Sequence, residues 1–129
     1  MLALDTNLIV RYLVGDGPGQ AARARRLIDN NDVFVCTTVL LETECVLRSV
    51  YGFSAAQCAK ALSDFAGLPR VSLEDAAAAS MALGWMRRGV DFADGLHLAK
   101  AAGCEAFISL DQDFAKAANA LGGIKVRAP

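Results

Sequence analysis

Asp5 interrupts an apolar opening, with Leu2-Ala3-Leu4 before it and Leu8-Ile9-Val10 after it. Asp111 follows a second apolar run, Ala106–Leu110, in the same way. In DFADGLHLAKAAG, Asp94 stands three residues after Asp91, so the two share a helical face with Leu98 beside the apolar stripe of Phe92, Leu96 and Ala99. In TTVLLETECVLRSVYG the apolar face is carried by Val39, Val46, Leu47 and Val50. Glu42 flanks Val46 on that face; Glu44 lies farther round, four residues before Arg48. This spacing predicts Glu42 as the acid held near the interior and Glu44 as a solvated acid in a surface ion pair. Asp5, Glu42, Asp94 and Asp111 are then candidates for one acidic cluster.

Such a cluster has a narrow chemistry. Two bare carboxylates ~4 Å apart repel by roughly 4 kcal/mol at an effective dielectric of about 20. Several such pairs amount to a large share of a stability of typically ~5–15 kcal/mol. The cluster persists only with protons or a cation, and at neutral pH a divalent cation answers. Oxygen-only ligation favours Mg2+ or Mn2+ over zinc. Such an ion activates water, orients a phosphate and stabilises a leaving oxygen, which suits phosphodiester cleavage.

The elements that must position these acids alternate along the chain. Strands are predicted at Leu2–Leu4, Val33–Thr37, Ala106–Leu110 and Ile124–Arg127, with a weaker one at Arg70–Ser72. Helices are predicted at 6–14, 19–30, 39–51, 54–66, 74–88, 92–102 and 113–121. Ser54 with Gln57 has the form of a capping box, and Ser72 with Asp75 a looser version. Strands alternating with helices imply right-handed βαβ crossovers and a mostly parallel sheet covered on both faces. Ligands of such sheets bind outside the carboxyl ends of the strands, where Asp5 and Asp111 fall. Each of these, taken alone, is also explained as a plain helix N-cap.

A chain of 129 residues is the size of one domain, and no repeat, linker or low-complexity tract divides it. No apolar stretch is long enough for a membrane span, and Asp5 and Arg11 interrupt any signal-like start, so the expected compartment is the cytoplasm. Cys36, Cys45, Cys58 and Cys104 are widely separated and His97 is the sole histidine, which argues against disulfides and zinc and predicts four buried thiols. The net charge of -1 announces no polyanion partner, although Arg23, Arg25 and Arg26 cluster, as do Arg87 and Arg88.

The residues Asp5-Thr6-Asn7 after a strand, Leu40-Leu41-Glu42 in a helix, Phe92-Ala93-Asp94 with Leu96-His97, and Ser109-Leu110-Asp111 before Phe114 resemble the PIN-domain ribonucleases. More narrowly, and most in VLLETECVLRSVYGF, the chain is similar to the VapC toxins of bacterial toxin–antitoxin pairs. The resemblance runs from Met1 to about Val126. It implies a single PIN domain over residues 1–129, a three-layer α/β/α sandwich with a mostly parallel sheet of order 3-2-1-4-5. It implies that Asp5, Glu42, Asp94 and Asp111 are the catalytic, metal-binding quartet, with Asp91 and Asp113 as accessory acids. Thr6, Asn7 and Ser109 match small polar positions that hold carboxylates and water in place. The implied reaction is Mg2+- or Mn2+-dependent endonucleolytic cleavage of RNA, leaving a 5′-phosphate and a 3′-hydroxyl. The implied partners are a VapB-type antitoxin and a second copy of the chain in a homodimer. Gly95 departs from relatives that carry Ala there, a change worth about 1 kcal/mol of helix propensity.

Other residues carry weaker signals. His97, three residues after Asp94, is read as structural before it is read as a general base. Arg11 and Arg48 suit either substrate phosphates or surface pairs, and Asp113 is read chiefly as a cap of the last helix. Gly15-Asp16-Gly17-Pro18-Gly19 is a loop; Gln20 stands where a phosphate-binding G-x-G-x-x-G needs its third glycine. Competing functions are an aspartyl phosphatase, a receiver-like domain, a housekeeping PIN-domain RNA-processing nuclease and a catalytically silent PIN-like binding domain. The first lacks its second acid, since Asn7 holds that position, and the second lacks its paired acids and lysine.

Overall fold

Asp5, with extended backbone, ends the first strand and begins the first helix, and this pattern of a short strand followed by a capped helix recurs down the chain. The computed structural model describes all residues from Met1 to Pro129. In order, the elements are β1 (Leu2–Ala3), α1 (Thr6–Val14), α2 (Pro18–Asn30), β2 (Val33–Val35), α3 (Thr37–Ser49), α4 (Ala55–Ala66), β3 (Val71–Leu73), α5 (Ala76–Met86), α6 (Phe92–Lys100), β4 (Phe107–Ile108), α7 (Gln112–Asn119) and β5 (Val126–Arg127). All strand pairs are parallel, so this is an α/β fold. The chain falls into two compact units, Met1–Ala76 and Ala77–Pro129.

In the first unit the strands form a sheet of order β1-β2-β3, the predicted 3-2-1 run. Leu2 pairs with Val33, and Val33 with Val71. Val33 and Val35, on one side of β2, are fully buried, as are Ile9, Leu40, Leu47, Leu62 and Phe65 from the helices. Tyr12 meets the Phe65 ring edge to face at 5.7 Å, and α1 packs on both α2 and α3. Helix α1 stops at Gly15, whose φ of 75° lies in the left-handed region that a residue with a Cβ adopts only at a cost. The capping box at Ser54 and Gln57 is formed in both directions, at 3.1 and 2.8 Å.

Two predicted boundaries move for a shared reason. Thr37 begins α3 instead of ending β2, because the Glu74 carboxylate accepts a hydrogen bond from the Thr37 N–H at 2.8 Å. The Glu74 N–H meanwhile continues the ladder to the Val35 carbonyl at 2.9 Å, so Glu74 ends a strand and α5 starts two residues later. Ser72, read from sequence with Asp75 as a looser capping box, belongs to β3.

The second unit holds β4 and β5, the predicted 4-5 run, as a two-stranded sheet in which Phe107 pairs with Val126. Val90, Leu98, Phe114, Ala118 and Val126 make its core, with Trp85 and Phe107 packed against it. Phe107 and Phe114 lie edge to face at 5.7 Å. Gly95 of α6 faces α5: a Cβ there would come within 3.2 Å of both the Cα and Cβ of Ala82. Glycine at this position permits a close approach of two helices. No helix of the chain is long and apolar enough to cross a membrane.

The cysteines divide. Cys58 is fully buried and Cys36 partly, but Cys45 and Cys104 are exposed, against the expectation of four buried thiols. Cys45 lies off the buried stripe of α3 and Cys104 sits in the turn before β4.

Candidate active site

The chain reversal from β1 into α1 presents Asp5 at the carboxyl end of its strand. Its Oδ1 accepts the Thr6 N–H at 2.8 Å, so the side chain is an N-cap as well as a candidate ligand. Capping engages one oxygen and holds the other in a set direction. Thr6 itself is buried, and its hydroxyl donates to Oε1 of Glu42. One residue therefore ties two carboxylates, Asp5 through its backbone and Glu42 through its side chain. Asn7 follows, exposed on the same turn.

The burial predicted for Glu42 and Glu44 is reversed, while the predicted pair of Glu44 with Arg48 forms. Glu42 is exposed, whereas Glu44 is 1 % exposed and paired with Arg48 at 3.0 Å. The buried face of α3 is Leu40, Thr43, Glu44 and Leu47, spaced i, i+3, i+4, i+7, while Val50 is 69 % exposed. The predicted face was placed on the valines and so was rotated away from the true one. Glu44 lies along the buried stripe and directs its carboxylate to the half-exposed Arg48. Removal of Glu42 from the interior keeps its carboxylate accessible to a ligand, which a metal-binding role requires. Burial beside Glu44 pushes the Cys58 thiol up to about 11, burial being the larger cause.

In the second unit the loop entering α6 and the turn after β4 supply the other acids. Asp94 lies in the first turn of α6, partly buried. Its carboxyl is held above the ordinary carboxylate value, chiefly by burial, then by the negative charge of Asp91, with His97 opposing and Asp111 adding. Asp91, Asp94 and Asp111 thus share one electrostatic environment. Asp111 caps α7: its Oδ1 accepts the Phe114 N–H at 3.0 Å, and its own N–H is held by Ser109 Oγ at 3.0 Å. Asp113, read from sequence as the cap, is instead exposed in the first turn of that helix. His97 is exposed, and its contribution is to favour the ionised form of Asp94.

The candidate acids are brought together as Asp5 with Glu42 in one unit, and as Asp94 with Asp91 and Asp111 in the other. No three His, Cys, Asp or Glu side chains stand close enough to grip a metal ion in common. Mg2+ does not demand three: it dehydrates reluctantly and is ordinarily bound through one or two carboxylates, its waters and substrate phosphates. The donors present are hard oxygens, and the ionised form of Asp94, disfavoured by burial and by Asp91 and Asp111, is compensated only in part by His97. That chemistry fits a divalent cation of this type.

No curated protein matches the chain. The model of the PIN domain, a nuclease fold, matches residues 2–120, running through both units and including Asp5, Glu42, Asp94 and Asp111. With that match covering nearly its whole length, the chain belongs to the PIN-domain family.

Proposed function

We propose that this PIN domain is a Mg2+- or Mn2+-dependent endoribonuclease that acts as the toxin of a VapBC toxin–antitoxin pair, in the cytoplasm, as a homodimer silenced by a VapB-type antitoxin. Asp5, Glu42, Asp94 and Asp111 carry the reaction. The observation that supports this reading best is Asp94: a partly desolvated carboxylate beside two further acids is an arrangement that costs stability unless a cation is bound. Three of the four acids also have a device that fixes them. The α1 cap orients Asp5, the Thr6 hydroxyl orients Glu42, and Ser109 with the α7 cap orients Asp111. His97 favours the charged form of Asp94.

A divalent ion, which Asp5, Glu42, Asp94 and Asp111 would hold, would supply an activated water and neutralise charge developing on the phosphate. Hydrolysis of this kind breaks the bond from phosphorus to the 3′-oxygen, with a proton from the water passing to that oxygen, and would leave a 5′-phosphate and a 3′-hydroxyl. The chain's own share is to hold carboxylates ionised and oriented, with Asp91 and Asp113 as accessory acids.

Purified protein is expected to cleave RNA with Mg2+ or Mn2+ and to stop on addition of EDTA. Equal cleavage in EDTA rejects the metal. Asp5→Asn is the informative variant, since asparagine caps a helix about as well as aspartate; it should abolish cleavage with α1 intact. Expression is expected to arrest growth unless a small partner is co-expressed. Normal growth with abundant active protein would instead assign a housekeeping RNA-processing nuclease.

A further inference from the structure

Helices α1 and α2 enclose a half-open cleft of about 470 Å³ in the first unit. Leu8, Ala24 and Leu27 give it an apolar lining. Its polar lining is Asn7 and Arg11 from α1 and Gln20 and Arg23 from α2. The α2 residues fall at i, i+3, i+4 and i+7, one face of the helix. Two guanidinium groups and two amides line the cleft, and no carboxylate does. A chain of net charge -1 has therefore gathered two cations around one cavity.

The two arginines differ in how they are held. Arg11 is fixed by Asp16, at 3.2 Å to the carboxylate, and Asp16 in turn accepts the Tyr51 hydroxyl at 3.0 Å. A Cβ on Gly17 would lie 3.7 Å from the Arg11 guanidinium and 3.8 Å from the Gln20 amide oxygen, so these two groups stand together at the loop end. Arg23 has no ion pair within the chain. Its neighbours Arg25 and Arg26, equally basic in sequence, do not line the cleft.

We propose that this cleft is a subsite for a backbone phosphate of single-stranded RNA, held by Arg23 and Arg11 with the Asn7 and Gln20 amides beside them. The proposal rests on the ribonuclease reading above and names the element that would hold its substrate. Asn7 is adjacent in sequence to Thr6, which ties Asp5 and Glu42, so one lining residue of the cleft stands one position along α1 from that tie. Acids that act on one phosphate repel the next along the strand, and cations close to them offset that repulsion. The planar fork of arginine matches two phosphate oxygens at once, and the apolar part of the lining suits a ribose or base face.

The test is binding of a fluorescently labelled short single-stranded RNA to the whole chain in EDTA, over a range of salt. Arg23→Gln is expected to weaken binding roughly threefold or more and to lower the slope of log affinity against log salt by about 0.7, the value for one phosphate contact on a single strand. Arg26→Gln, the same charge change on the same helix, should leave both unchanged. Equal losses in the two variants would mean diffuse attraction and overturn the subsite. So would unchanged RNA binding in Arg23→Gln together with weakened binding of polyglutamate, which would assign the cleft to an acidic protein partner. An unchanged Arg23→Gln profile in a protein whose Mg2+-dependent cleavage is lost in Asp94→Asn sinks the subsite and leaves the nuclease standing. Absence of both RNA binding and cleavage sinks both.

Discussion

The Thr6 hydroxyl donates to the Glu42 carboxylate across 36 positions of sequence, joining the first turn of α1 to the middle of α3. Since the Thr6 N–H also holds Asp5, a single buried residue sets the geometry of two acids that carry like charge. Thr6→Val keeps the shape and the backbone bond but removes the hydroxyl. Glu42 is exposed and takes up water in its place, so the stability cost is expected to stay near that of one hydrogen bond, about 1 kcal/mol. RNA cleavage should fall far more than that figure implies, with kcat affected before KM, and Thr6→Ser should restore it. Steady-state kinetics beside thermal denaturation checks both halves.

The neighbouring glutamates of α3 separate stability from activity. Glu44→Ala removes a fully buried side chain and the partner of Arg48, and is expected to cost roughly 2–3 kcal/mol by lost packing and hydrogen bonding. The half-exposed Arg48 recovers water, which keeps the cost below that of a deeply buried broken pair. Glu42→Gln, at an exposed position, should change stability by only ~0.5 kcal/mol while abolishing cleavage. Denaturant midpoints and an RNA cleavage assay distinguish the two. A large destabilisation by Glu42→Gln would remove it from the site and return it to the fold.

This pair also marks where sequence reasoning reaches its end. The seven helices and five strands are legible because their signals are local: a cap at Asp5, a capping box at Ser54 and Gln57, and alternation of apolar runs with helical periods. Asp5, Asp94 and Asp111 are legible because their places at strand and helix ends follow from that order. The phase of α3 is not, because valines at 39, 46 and 50 outweigh a glutamate whose stem packs as well as leucine while its head finds Arg48. The role of Glu74 as a cap for α3 depends on two segments 37 residues apart, and nothing near either one records it. Gln20 is visible in sequence only as a residue that breaks a glycine pattern; its place in the lining of a cleft comes from the packing of α2 on α1.

Asp94 predicts a pH signature. Its folded-state pKa lies above the ordinary carboxylate value, so the folded protein holds this proton more tightly than the unfolded chain does. The stabilising contribution is full below the unfolded pKa and is lost as pH rises through the folded one. Asp94→Asn has no such loss. Measured in EDTA, its melting temperature relative to the parent protein is expected to climb as pH is raised through the carboxylate range and then level off. Acids remote from Asp94 are common to both proteins and cancel in the difference. Added Mg2+ should raise the parent's melting temperature and not the variant's. A difference that is flat with pH would mean that Asp94 is not under the strain assigned to it.

Gly95, next to Asp94, tests whether the helix that carries this acid is set by close packing. Alanine is the better helix former by about 1 kcal/mol, so on propensity alone Gly95→Ala should stabilise. Its Cβ would meet the Cα and Cβ of Ala82 at 3.2 Å, tighter than an ordinary contact, and the Cα belongs to backbone that cannot rotate away. Overpacking of this kind costs about 1–3 kcal/mol, which exceeds the propensity gain. Gly95→Ala is therefore expected to be destabilising by roughly 1 kcal/mol, and Gly95→Leu by considerably more. Because α6 must shift to admit the methyl group, cleavage by Gly95→Ala should also fall under conditions where the variant is fully folded. Chemical denaturation with a parallel activity assay decides it: a more stable and equally active Gly95→Ala would show that α5 yields, and that the position of Asp94 is not set by this contact.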